Sequence, residues 1–581
     1  MGKIDSVTIE LIVNQLLSVA EEMGATLVKT AYSTNIKERK DCSTAIFNSK
    51  GEIIAQAEHI PMHLGSMMGI VKEILNKYPQ EQIKPGDMFV TNDPYSGGGT
   101  HLPDITIAAP VFSSGEIVAF VANLAHHADV GGKVPGSTSG DANSVFQEGL
   151  RIPLTKVCSN GKLIQDIVDF IQLNSRTPFE RNGDLGAQIA ANKIGILRLE
   201  EVVKQYGNEN FNACTDALLD YAESMMKAGI HKLPNGVYDF VDYLDDDGIH
   251  LDQPVPIKVK ITIEDESAHL DFTGSSPQVK GPINVTLNGL LTTVFYCFKA
   301  IMGPSIFSNQ GIYRAFTVHA PEKSIINCQA PSAVGERIDT CQRVVDVIFG
   351  AMAKAVPDKV IAASNSAVTT ATFSGMHPKT NRFYVYLETV AGGSGAHCKG
   401  DGLSGVQVHM TNTSNLPVEA LEQEYPLLVE KYQLSKDSGG AGKYRGGLGI
   451  QRDIHVLHDD VVFSGLADRH KIAPWGLEGG KEGASGSFWL ERKGEARRQL
   501  SSKISDVALN KGDKISVCTP GSGGYGNPIE RSPEEVLNDV LEGKISKEVA
   551  KDIYKVALTN DGKKVDWQKT EAYRSDAVPQ P

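Results

Sequence analysis

Apolar side chains recur at Ile9, Ile12, Leu16, Val19, Met23 and Leu27, spaced by three and four, which predicts an amphipathic helix over residues 8–31. Strand-like runs follow. Residues 43–57 read as two strands around an Asn-Ser-Lys-Gly turn, and 88–91, 105–111 and 117–124 as further strands, with a helix over 66–78. Helical spacing returns over 162–174 and 185–206 and continues towards 228, with a break at Gly207. Pro234-Asn235-Gly236 marks a change, after which 237–244, 257–263 and 268–272 read as strands and Asp245-Asp246-Asp247-Gly248 as an acidic turn. Helices follow over 286–302 and 337–355. From about 430, short apolar runs alternate with glycine turns such as Gly446-Gly447-Leu448-Gly449, the pattern of hairpins or a small barrel. Ser532-Pro533-Glu534-Glu535 opens a helical pattern over 532–556, and the last twenty or so residues read as a loosely packed tail. The expected fold class is α+β. A mixed α/β N-terminal part spans 1–230, an α/β middle region 231–429, a β-rich region 430–530 and a helical C-terminal tail 531–581.

Composition narrows the class. With 581 residues the chain is too long for one ordinary core, and length suggests about three or four domains. At 41% hydrophobic and 22% charged it reads as globular, and a net charge of −13 argues against a general nucleic-acid binder. The eight cysteines form no Cys-x-x-Cys and no disulfide framework, so they read as reduced thiols of a cytoplasmic protein. No run of eighteen apolar residues predicts a membrane span, and no basic-then-apolar leader opens the chain. Met-Gly-Lys-Ile-Asp-Ser matches a loose acylation pattern, but Asp5 or Ser6 serves equally as a helix cap.

Candidate chemistry concentrates early. Residues 92–104 read Asn-Asp-Pro-Tyr-Ser-Gly-Gly-Gly-Thr-His-Leu-Pro-Asp, and Asn-Leu-Ala-His-His-Ala-Asp follows about twenty residues later. Imidazoles and carboxylates from His101, Asp104 and His126 or His127 can converge there, and such a set suits Zn²⁺, Mn²⁺ or Fe²⁺ better than Ca²⁺ or Mg²⁺. Adjacent strand residues face opposite ways, so at most one of the histidine pair should be a ligand, leaving the other to orient it or to touch substrate. Asp129 is a further candidate. Asp41, closing Lys37-Glu38-Arg39-Lys40-Asp41 before a strand, could complete a four-residue set. His59 and His63 would share a helix face, but Pro61 breaks that helix, so they read as lining a turn. Glu148 and Arg151 could supply an acid and a cation or form a surface ion pair. The glycine-rich runs at 391–395, 438–443 and 521–524 match no phosphate-binding loop, since Gly442-Lys443 is followed by Tyr444.

Several strings together resemble the hydantoinase B/oxoprolinase family. They are Asp-Cys-Ser-Thr-Ala-Ile-Phe at 41–47, Ala-Glu-His-Ile-Pro-Met-His-Leu-Gly-Ser at 57–66, Asn-Asp-Pro-Tyr at 92–95 and Thr-His-Leu-Pro-Asp at 100–104. Glu-Gly-Leu-Arg-Ile-Pro at 148–153 and Asp-Ser-Gly-Gly-Ala-Gly-Lys-Tyr-Arg-Gly-Gly from 437 belong with them, and the similarity runs from about residue 5 to about 530. The resemblance implies the B subunit of an ATP-dependent hydrolase opening a hydantoin, 5-oxoproline or a lactam. It also implies a partner A subunit of actin-like ATP-binding fold, in a heterotetramer or larger assembly, that binds ATP and phosphorylates the amide oxygen. The B subunit would hydrolyse the activated intermediate at a divalent metal ion, Zn or Mn, held by Asp41, His101, Asp104 and His126. On their own chemistry, His127, Glu148 and Arg151 are the candidate catalytic groups beside that set. More distant relatives imply a subunit of an ATP-dependent ketone carboxylase as the alternative, although the acetone carboxylase subunit is considerably longer. A pure scaffold for the ATP-hydrolysing partner fits less well with His101, Asp104 and His126 intact.

Overall fold

In the computed structural model, residues 6–57, 59–303 and 306–577 are described; the acylation pattern and Asp5 fall at or beyond that boundary. The N-terminal part is a seven-stranded sheet whose order is Ile53–Gln56, Cys42–Asn48, Glu116–His126, Asp104–Ser113, Met88–Thr91, Thr155–Ser159 and Lys162–Leu163. Every pairing in it is antiparallel. Alternation sorts its side chains. Ile46, Ile107 and Val121 face the helices Ser6–Thr30 and Pro178–Tyr206, while Phe47, Ala108 and Phe120 face the helix Ile70–Lys77. Both faces are covered, so the central strands are buried along most of their length. Helix Ser6–Thr30 is long and apolar enough by composition to cross a membrane, but its Ile12, Leu16, Met23 and Leu27 are buried in this core. Gly207, with φ +81°, separates Pro178–Tyr206 from helix Asn208–Ile230 at the expected break.

The middle region is a four-stranded sheet, Phe316–His319, Ser267–Asp271, Val255–Glu264 and Gly236–Leu244, packed against helices Leu287–Met302 and Arg337–Met352. The third core lies between a four-stranded and a five-stranded sheet. It takes in Thr369–Met376 and Phe383–Val390, well before the β-rich pattern expected from about 430. Those two strands are buried on both faces and therefore lack the alternation that marks a half-exposed strand. The helical stretch expected over 532–556 buries Val536, Ala550, Tyr554 and Val556 in a cluster with Ala441. The last residues are not a loose tail: helix Trp567–Ala577 is held by buried Thr570, whose Oγ1 accepts from Ala557 N at 3.0 Å, and by Arg574 Nη2, which donates to Arg531 O at 2.7 Å.

Candidate metal centre and its cavity

Strand order and register build the site. Asp104 begins one strand opposite His126, the last residue of its neighbour, and Cys42 lies opposite Ala125 on the next. Asp41, His126 and Asp104 therefore stand side by side at one end of the sheet, and His126 N donates to Asp41 O at 3.0 Å. The preceding loop brings His101 over them. Asn92 holds that loop, its Nδ2 donating to Leu102 O and Leu150 O, both at 2.8 Å. Gly99, at φ +128°, passes so close to Asp104 that a Cβ there would meet its carbonyl oxygen at 3.0 Å.

His101, Asp104 and His126 are buried, and one ligand atom from each falls within 4.8 Å of the others. The lone pairs of His101 and Asp104 conflict in a way that a cation would resolve. Gly335 O can only accept, so His101 Nδ1, 3.3 Å away, carries the ring proton. Burial, reinforced by Arg337, keeps this imidazole neutral by lowering its pKa. With that proton on Nδ1 its Nε2 lone pair faces Asp104 Oδ1 at 3.1 Å, and neither atom has another hydrogen-bond partner among the described residues. Burial also holds His126 well below its ordinary pKa, while Asn35 Nδ2 lies 2.9 Å from its Nδ1. Burial alone would push Asp104 up, but the charged Arg337 beside it holds the carboxyl well below its ordinary range and keeps it ionised. Two neutral imidazoles and a carboxylate form a donor set suited to Zn²⁺ or a similar ion. Asp41 sits at the rim, its pKa raised by burial and only partly offset by His63 and Arg39.

Two neighbours lie outside what the sequence reading places here. His63, expected on a turn, starts the short helix His63–Ser66 and lies 3.9 Å from both Asp41 Oδ1 and Asp104 Oδ1. Pro61 does separate it from His59, which packs on Gly24 instead. Arg337 escapes the sequence reading altogether. Its Nη2 donates to Asp104 Oδ2 at 2.9 Å and its Nε to Thr100 Oγ1 at 2.8 Å, leaving Oδ1 as the atom that faces the cavity. A charged Glu-Arg pair opening the helix expected over 337–355 is the signal that could have found it.

The remaining candidates lie away from the cavity. His127 points to the opposite face, as strand alternation requires, with its Nε2 2.9 Å from Gln188 Oε1. Gln188 and Asn192 form an amide ladder beneath the site: Asn123 Nδ2 donates to Asn192 Oδ1, Gln188 Nε2 to Ile105 O and Asn192 Nδ2 to Ile107 O. Glu148 does not face the cavity but fixes its wall. Oε1 accepts from Val334 N at 2.8 Å and Gly335 N at 2.6 Å, and burial pushes the carboxyl up to about 8. Arg151 pairs with Asp93 at 2.9 Å rather than with Glu148. Asp129 is tied to Arg176 and to the amides of Gly131 and Gly136. The glycine-rich runs pack backbone on backbone: a Cβ on Gly393 would lie 2.1 Å from Gly447 O, and one on Gly521 1.8 Å from Ser438 O.

The opposite wall comes from distant chain. Glu336, Ile338, Val368, Thr370, Leu387 and Met410 line the cavity with the donors. Arg39 clamps the two sides, donating to Leu387 O at 2.6 Å and Thr389 Oγ1 at 2.9 Å.

The model of the hydantoinase B/oxoprolinase family matches residues 5–528. The B component of a putative D-/L-hydantoinase from Pseudomonas sp. (strain NS671) is 34% identical, covering 99% of this chain and 98% of its own. 5-Oxoprolinase 1 of Arabidopsis thaliana is 35% identical over 90% of this chain, which spans only 42% of that larger protein. Among solved structures, the ATP-dependent caprolactamase from Pseudomonas jessenii superposes with a TM-score of 0.93 at 29% identity, covering 99% of this chain and 100% of that one. A nucleotide-free acetone carboxylase shares the fold at a TM-score of 0.92 and 21% identity, covering 99% of this chain and 84% of its own. The chain belongs to the hydantoinase B/oxoprolinase family.

Proposed function

We propose that this chain is the metal-bearing B subunit of an ATP-dependent hydrolase of cyclic amides. A partner A subunit would supply ATP and O-phosphorylate a hydantoin, 5-oxoproline or a lactam. The observation that carries this reading is the buried set His101, Asp104 and His126, in which His101 Nε2 and Asp104 Oδ1 face each other at 3.1 Å. Family membership supports the substrate class. The 5-oxoprolinase relative, more than twice as long as its match here, supports a second component that carries the rest of the activity.

A Zn²⁺ or Mn²⁺ ion bound by these donors would lower the pKa of water towards about 7 and stabilise charge on the reacting oxygen. The protein's own part is positional. Arg337 engages Asp104 Oδ2 and so directs Oδ1 inward, Gly335 O fixes the His101 ring, and Asn35 holds His126. Asp41 and His63 stand close enough to bind the ion's remaining face or the attacking water. The apolar wall of Ile338, Val368, Leu387 and Met410 excludes bulk water and favours a compact ring.

Metal analysis of the purified protein should find about one divalent ion per chain. His101→Ala should lose both the ion and ATP-dependent ring opening in the reconstituted complex while still binding the A subunit. Full activity of metal-free protein, or of His101→Ala, would overturn the proposal. A requirement for bicarbonate would mark the complex as a carboxylase instead.

A further inference from the structure

Ring opening poses a problem of direction that the donor set does not solve. Water adding to the O-phosphorylated carbon gives a tetrahedral adduct bearing hydroxyl, phosphate and ring nitrogen. Phosphate is the better leaving group, and its loss merely re-forms the cyclic amide. Opening the ring needs a proton delivered to nitrogen as the C–N bond breaks.

One side chain of the cavity meets the requirements. Glu336 precedes helix Arg337–Met352, is 2% exposed and lines the same cavity as His101, Asp104 and His126. Its Oε1 is buried, and among the described residues the side chain it meets is the carboxyl of Asp339. One helical turn on is Asp339, fully buried, whose Oδ1 accepts from Val368 N at 2.6 Å while its carboxyl is left to share a proton with Glu336 through a side-chain hydrogen bond. Two buried carboxyls this close cannot both ionise, so one holds a proton. Burial and Asp339 together raise the Glu336 pKa well above the ordinary range, with Lys503 and Arg337 opposing. Asp339 is pushed up to about 6 by burial and by Asp468, against Lys503. Glu336 is therefore the member that keeps the proton at neutral pH.

We propose that Glu336, held protonated by Asp339, is the general acid that directs collapse of the adduct towards ring opening. The inference rests on the proposed cyclic-amide hydrolase. The Glu336 proton passes to the ring nitrogen, and the C–N bond breaks with its electron pair on nitrogen. The adduct hydroxyl re-forms a carbonyl and returns its proton to the Glu336 carboxylate. The products are an amine and an acyl phosphate, which a second water splits into carboxylate and inorganic phosphate.

The test uses the complex reconstituted with its A subunit, ATP and whichever of 5-oxoproline, hydantoin or a lactam the wild type opens, in ¹⁸O-water. ATP hydrolysed, ring opened and ¹⁸O in the recovered cyclic amide are measured together. Glu336→Gln should keep its metal and its ATP hydrolysis while ring opening falls about 10²- to 10⁴-fold. Solvent oxygen should then appear in the recovered substrate, because phosphate leaves carrying the original oxygen. An unchanged ratio of ATP to ring opened, or recovered substrate free of ¹⁸O, overturns the assignment. Asp339→Asn provides a second test, since removing the neighbouring charge should move the alkaline limb of the ring-opening profile to lower pH. An unmoved limb also overturns it. If the wild-type complex opens no ring with ATP, it is the underlying hydrolase proposal that fails.

Discussion

Replacing Glu148 separates a positioning role from a chemical one. Its Oε1 is the acceptor for the amides of Val334 and Gly335, and its Oε2 has no partner. Glu148→Ala leaves both buried amides unsatisfied at roughly 1–3 kcal/mol each, about 2–6 kcal/mol together. Glu148→Gln keeps the amide-accepting oxygen and should cost little, because the native carboxyl, at about 8, is itself protonated at neutral pH. Hydrogen exchange over residues 331–337 reads this locally, without assuming that so long a chain unfolds in one step. The alanine variant should lose about 10- to 10⁴-fold in protection there and the glutamine variant almost none. The pH dependence has a definite sign. Below the ordinary value of 4.5 both folded and unfolded chains hold the proton, so no penalty exists; as pH rises towards about 8 only the unfolded chain releases it, and the wild type loses stability relative to Glu148→Gln. Equal exchange in all three proteins would refute the reasoning. So would a glutamine variant that keeps wild-type protection yet abolishes turnover, because the carboxyl would then be acting on substrate.

Three further outcomes follow from the same geometry. Arg337→Met removes the partner of buried Asp104 and should destabilise the metal-free protein by about 3–5 kcal/mol, with a smaller fall in melting temperature once Zn²⁺ is added; an equal fall in both states would contradict the pairing. Zn²⁺ or Mn²⁺ at a hundredfold excess over Kd should stabilise the folded chain by about 2.7 kcal/mol, and His126→Ala should abolish that rise in melting temperature. Tyr554→Ala should cost about 3–5 kcal/mol and open residues 531–577 to limited proteolysis, whereas a loosely held tail would already be cleaved in the wild type.

Much of this site was legible because local rules decide it. The short apolar runs at 105–111 and 117–124 locate the strands whose ends carry Asp104 and His126, and because adjacent strand residues face opposite ways His127 turns to Gln188 while His126 faces the cavity. What escapes the sequence depends on distant chain. His63 reaches the site because the segment after Pro61 turns a new helix, whereas Pro61 reads as excluding both histidines from a shared face. Arg337 and Glu336 arrive from over two hundred residues further on, through packing that no short window contains. The strands at 369–390 are hidden by burial on both faces, which erases the alternation used to find strands.

The amide ladder of Asn123, Gln188 and Asn192 has a consequence for folding fidelity. A strand ending in His-His presents an imidazole at its tip in either of two alignments, so a slip by one residue would still offer a histidine to the ion. Apolar burial discriminates weakly too, because Val118–Ala122 is apolar on both faces. The side-chain amides break this degeneracy: they fit the main-chain oxygens of Ile105 and Ile107 only when Asn123 and His127 face the helix. Replacing Gln188 and Asn192 by leucine would preserve the helix and the core and still scramble the site, yielding a chain that folds with the wrong histidine aimed at its metal.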